Sequence, residues 1–152
     1  MSDTFTYSRS TVIQARAEHI VPLIEDFHQW ARWSPWEKLD ADLKKSFSGP
    51  EKGVGASYAW EGKKSGTGNM TLSESSNSKL TIALNFLKPF QQSNVAEFAF
   101  AAEGEGTRVT WSMTGKKNFM SKVMGLFMDM DKMIGKDFER GLADLKAQVE
   151  SR

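Results

Sequence analysis

A chain of 152 residues is the size of one domain and can bury roughly two-thirds of its unfolded surface without a covalent staple. It contains no cysteine, which excludes disulfides, thiolate nucleophiles and Cys-ligated zinc or iron–sulfur centres. Its 20 basic and 19 acidic residues leave no overall field to draw it onto nucleic acid or an anionic membrane surface. The opening Met1-Ser2-Asp3-Thr4 has no basic or apolar leader character, and no apolar run approaches a membrane span. The expectation is a cytoplasmic domain over residues 1–152, with no nucleic-acid partner and no integral membrane association.

In chain order, Phe5 to Ile13 alternates Phe5, Tyr7 and Arg9 against Thr6, Ser8 and Ser10, predicting a strand with one weakly apolar face. The period then changes. Ile20, Leu23, Ile24 and Phe27 fall at helical spacing across Ala17 to Asp26, provided Pro22 lies within a first turn. Trp30 and Trp33 predict a second short helix, stopped by Ser34-Pro35 because proline pushes the preceding residue out of the α region. Leu43 to Phe47 reads as a short strand ending at the turn signal Ser48-Gly49-Pro50.

The middle of the chain alternates with period two. Val54, Ala56, Tyr58 and Trp60 form one face, and Met70 with Leu72 continue it after the turn Glu61 to Gly66. Leu80, Ile82, Leu84 and Phe86 follow, then Ala96, Phe98 and Phe100, then Val109, Trp111 and Met113. Short turns between successive strands require antiparallel neighbours in one sheet. From Met120 the stripe Val123, Met124, Phe127, Ile134, Phe138, Leu142, Leu145 and Val149 predicts one long closing helix. The apolar face of the sheet must meet the apolar stripe of the helix, and sheet curvature decides whether a hollow remains between them.

This order of elements resembles the helix-grip fold of the START-like (SRPBCC) superfamily. The particular runs Trp33-Ser34-Pro35-Trp36, Gly49-Pro50, Gly53-Val54-Gly55-Ala56, Tyr58-Ala59-Trp60, Gly66-Thr67-Gly68, Pro89-Phe90, Gly106 to Trp111 and Phe138 to Leu142 are similar to its bacterial polyketide cyclase/dehydrase-like branch. The resemblance spans nearly the whole chain. It implies an α+β fold in which a curved antiparallel sheet of about seven strands wraps around a long C-terminal helix, with two short helices after the first strand. It also implies a cavity for a small hydrophobic molecule.

On that basis the candidate lining is Trp33, Trp36, Tyr58, Trp60, Met70, Leu84, Phe86, Phe98, Phe100, Trp111, Met113, Met124, Phe127 and Ile134, together with Asp131. Aromatic rings supply apolar area and methionine adapts to varied shapes, but ordinary core packing needs a similar set. Trp33 and Trp36 flank a proline turn, where they form either a lid or packing for the short helices. Asp131, four after Phe127 and three before Ile134, falls in the apolar stripe of a continuous helix, where a carboxylate could serve as acid, base or anchor. Alternatively Asp129 caps a fresh segment and Asp131 sits in its first turn. Tyr58 is the second weak catalytic candidate.

Cofactors and metals find no support. His19 and His28 are the only histidines and do not share a helical face, and the Gly53-Val54-Gly55 and Gly66-Thr67-Gly68 pairs lack the helix and acid of a dinucleotide fingerprint. Those glycines read as places where strands bend or bulge. Three functions remain in view: binding or carriage of a hydrophobic molecule, a cyclase- or dehydratase-like enzyme using one or two polar cavity residues, and a regulatory module gripping a partner protein. An exposed edge strand leaves both monomer and homodimer open.

Overall fold

The structure is a computed structural model, and the residues it describes are 4–34, 43–63, 66–88, 91–116 and 130–151. Strand β1 (Thr4–Ile13) leads into two single-turn helices, α1 (Ala17–Ile20) and α2 (Pro22–Glu25), and a 3-10 helix (Phe27–Arg32). The sheet continues through β2 (Lys44–Ser48), β3 (Ser57–Gly62), β4 (Gly66–Ser75), β5 (Lys79–Lys88), β6 (Gln92–Glu103) and β7 (Gly106–Lys116). Helix α3 (Met130–Glu150) closes the chain.

All seven strands form one antiparallel sheet in the order β1-β7-β6-β5-β4-β3-β2. Strands β2 to β7 are a meander, and β1 adds to its far side by pairing with β7. The register between β4 and β5 shifts at Thr67/Gly68 and again at Leu72/Glu74. Such bulges increase local twist, which lets the sheet curve toward the helix. The first shift falls on the glycine pair expected to bend the strand.

Pro22 divides the predicted Ala17–Asp26 helix. It stands at the first position of α2, where its missing N–H is harmless, and α1 ends just before it. Asp26 then accepts the His28 backbone N–H at 3.0 Å and caps the 3-10 helix. The indole N–H groups of Trp33 and Trp30 donate to the carbonyls of Leu23 (2.9 Å) and Ile24 (2.8 Å), which a one-turn helix cannot satisfy itself. Val54 departs from its expected strand face. The chain turns between Gly53 and Ala56, with the Ala56 N–H bonded to the Gly53 carbonyl at 3.0 Å, and the Val54 side chain is exposed.

Helix α3 lies along β1 and buries Phe138, Leu142, Leu145 and Val149, the stripe expected of it. These form one buried cluster with Ile13, Val109, Trp111, Phe98 and the buried residues of the short helices. The sequence-predicted positions Trp36, Val123, Met124, Phe127 and Asp129 lie outside the described residues, as does the helix start proposed at Met120.

Candidate ligand-binding face

The inner face of the sheet is filled unevenly along its length. At one end, aromatic rings pack directly on each other. Trp111 stacks on Phe98 (centroids 4.9 Å apart) and on Phe138 of α3 (4.2 Å, planes 13° apart), while Trp33 meets the Trp111 ring edge-on at 5.5 Å. Trp33, Phe98, Trp111 and Phe138 are almost wholly buried. Phe100 belongs to the same end. Rings engaged this closely contribute to the core and to its rigidity.

The other end is built from the far halves of the same strands. Cross-strand register aligns Trp60 with Gly68, Gly68 with Phe86, Met70 with Leu84, Leu84 with Asn94, and Asn94 with Gly115. Phe5 and Tyr7 of β1 align with Gly115 and Met113. Here the apolar side chains are only partly covered: Phe5, Tyr7, Trp60, Leu84 and Phe86 on the sheet and Ile134 on α3 are half-buried. The rings of Trp60 and Phe86 meet edge-on at 6.0 Å, and Tyr58 meets Trp60 at 6.0 Å. Met70 and Met113, both buried, floor this region. Half-buried aromatic and aliphatic groups on a concave face, beside flexible thioethers, are the composition of a site for an apolar guest.

The sequence-predicted set therefore separates in space. Trp60, Met70, Leu84, Phe86, Met113 and Ile134 come together at the open end, with Tyr58 at its border. Trp33, Phe98, Phe100 and Trp111 lie in the closed end.

Of the two readings of Asp131, the apolar seam is not where its side chain lies: it is 56% exposed and points to Arg9 of β1, whose Nη2 lies 3.3 Å from Oδ2. Arg9 also donates to Glu139 at 2.9 Å. The two carboxylates raise the Arg9 pKa, Asp131 more than Glu139. The pair ties the start of α3 to β1 at the surface.

Sequence reasoning missed Asn94. It occupies an inward position of β6, two before Ala96, and only 6% of it is exposed. The alternation Asn94, Ala96, Phe98, Phe100 carried that signal, but an asparagine near a strand end reads as turn chemistry. Among the described residues the buried polar side chains besides Tyr58 are Ser34, Asn94 and Thr107, and none of the three is an acid or base. No helix among the described residues is long and apolar enough to cross a membrane.

Comparison with known proteins fits this architecture. The family model described as polyketide cyclase/dehydrase and lipid transport matches residues 4–150. No curated protein sequence matches the chain. Among solved structures, protein CV1439 from Chromobacterium violaceum is similar at 16% identity, covering 99% of both chains with a TM-score of 0.63. Ara h 8.0201 superposes with a TM-score of 0.67 at 9% identity, over 98% of this chain and 99% of that one. The Aha1 dimer from Colwellia psychrerythraea matches at 14% identity, with a TM-score of 0.67 over 96% of each chain. These likenesses place the fold as the helix-grip architecture of the START-like superfamily.

Proposed function

The chain belongs to the polyketide cyclase/dehydrase and lipid transport family, and from that membership we propose that it binds or carries a small hydrophobic molecule between the sheet and its last helix. The observation that carries the proposal is the contrast between the two ends of the inner face. The same strands supply a ring-packed core at one end and a half-buried apolar set, Trp60, Leu84, Phe86 and Ile134, at the other. Leaving large apolar groups partly uncovered forfeits burial free energy of about 25 cal/mol per Å2. An apolar guest that covers them recovers it.

Carriage is preferred over catalysis because proton transfer needs a positioned titratable group. Among the described residues Tyr58 is the one buried ionisable side chain, no carboxylate, histidine, lysine or arginine side chain is buried, and Asp131 is engaged with Arg9 at the surface. The test is native mass spectrometry of the freshly purified chain against its denatured mass, followed by titration with fluorene and tridecane as polycyclic and aliphatic probes. The reading expects a co-purifying molecule or saturable binding of at least one probe. A clean mass together with no saturable binding of either hydrocarbon overturns it.

A further inference from the structure

We propose that Asn94 is the polar anchor of this site and that its carboxamide donates a hydrogen bond to a carbonyl oxygen of the bound molecule. The ligand class that follows is a hydrophobic ketone, ester or comparable neutral carbonyl compound. This inference rests on the hydrophobic-ligand reading above and narrows it.

The orientation of the carboxamide is fixed by its neighbour. Gln92 meets the backbone carbonyl of Lys116 at 3.0 Å, and a carbonyl can only accept, so the Gln92 atom there is its amide nitrogen. That same nitrogen reaches Asn94 at 2.8 Å, which requires Asn94 to present its oxygen. The Asn94 Nδ2 is thereby turned away from Gln92. Its one partner among the described residues is the Met113 sulfur at 3.5 Å, a weak acceptor, and its second N–H meets no acceptor among them. A donor buried to this extent is almost always paired in a folded protein.

The surroundings of the carboxamide are apolar. Gly115 stands directly across from Asn94 on β7, and a Cβ there would overlap the Asn94 carboxamide and crowd the Phe5 ring. Glycine in the interior of a strand weakens it and marks a place where another group approaches closely. Here it leaves space for the carboxamide, and the flanking side chains on the same face are Leu84, Met113 and Phe5. A single neutral donor amid apolar walls matches a neutral carbonyl group on a hydrophobic body. An ionised head group would be left without a countercharge from that amide.

The test uses shape-matched pairs that differ in the carbonyl: fluorenone against fluorene, and methyl undecyl ketone against tridecane. In the wild-type chain each ketone is expected to bind about tenfold more tightly than its hydrocarbon, the worth of one buried hydrogen bond. In Asn94→Leu that ratio should fall to near one, whatever happens to affinity overall. Infrared spectra of fluorenone bound to the wild-type protein should show the carbonyl stretch below its position in hexane. If hydrocarbons bind but the wild-type ratio is near one, or survives in Asn94→Leu, the anchor is overturned and the hydrophobic site stands. If no probe binds, the hydrophobic-site reading fails and takes the anchor with it. Should Asn94→Leu not fold, the wild-type spectrum decides, because an unshifted carbonyl stretch overturns the proposal.

Discussion

Gly135 is the point on α3 where a side chain from the first strand crosses the helix surface. A methyl group built there would overlap the guanidinium of Arg9, which Glu139 and Asp131 hold from two sides and which cannot swing clear without losing one of them. Alanine inside a helix ordinarily gains about 1 kcal/mol over glycine. Overpacking costs about 1–3 kcal/mol, and at this position it should win. Gly135→Ala is therefore expected to destabilise the protein, whereas in an Arg9→Ala background the same change should stabilise it. Urea unfolding of the four chains in a double-mutant cycle reads that change of sign. The sequence showed Arg9 on the same strand face as Phe5 and Tyr7 but could not show its partners, which lie more than a hundred residues along. Asp131 was left with two readings for the same reason. Its place in the apolar stripe was legible, while the arginine that draws it outward depended on how the helix docks.

The docking of α3 onto β1 is completed at the helix's other end. The Lys146 ammonium donates to the Val12 carbonyl at 2.7 Å and to Glu150 at 2.6 Å, and Glu150 in turn accepts the Gln14 backbone N–H at 2.8 Å. These contacts occupy backbone groups at the end of β1, an edge strand with a ladder partner on one side only. The Gln14 N–H first, and Lys146 second, hold the Glu150 carboxyl below the ordinary glutamate range. A depressed carboxylate contributes stability that is full above its unfolded pKa and is lost as the pH falls through the folded one. Glu150→Gln is therefore expected to be less stable than the parent near neutral pH, with the gap closing as the solution is acidified below the ordinary glutamate value. Denaturant midpoints measured from about pH 7 to about pH 3 test this. At this scale the sequence was most readable: the period-two faces of β3 to β7 appear in the structure, as does the α3 stripe from Phe138 to Val149, while β2 is exposed along its length. The division of the first helix at Pro22 was marked by the proline itself, and only its position in a new first turn awaited the fold.

Across the whole molecule, one sheet face serves two purposes, and substitutions should separate them. Trp111→Ala removes a ring stacked on two others and is expected to cost about 3–5 kcal/mol of stability. Trp60→Ala, at the half-buried end, should cost less than half as much while weakening fluorene binding about tenfold. Thermal unfolding and probe titration of both variants check the division; equal stability losses with unchanged binding by Trp60→Ala would contradict it. Period-two patterning could list the residues of the inner face but could not sort them, because apolar residues alternate alike at both ends and the ends are told apart by what covers them. The sheet order has a further consequence for how the chain is made. Thr4 pairs with Lys116, and β1 then receives a helix that ends at Glu150, so the strand that leads the sheet in sequence finds its partners last. The meander can form by successive hairpins as it leaves the ribosome, since each strand meets its neighbour locally. The nascent sheet must then wait, its apolar face exposed to association with other chains, until α3 emerges to seal it.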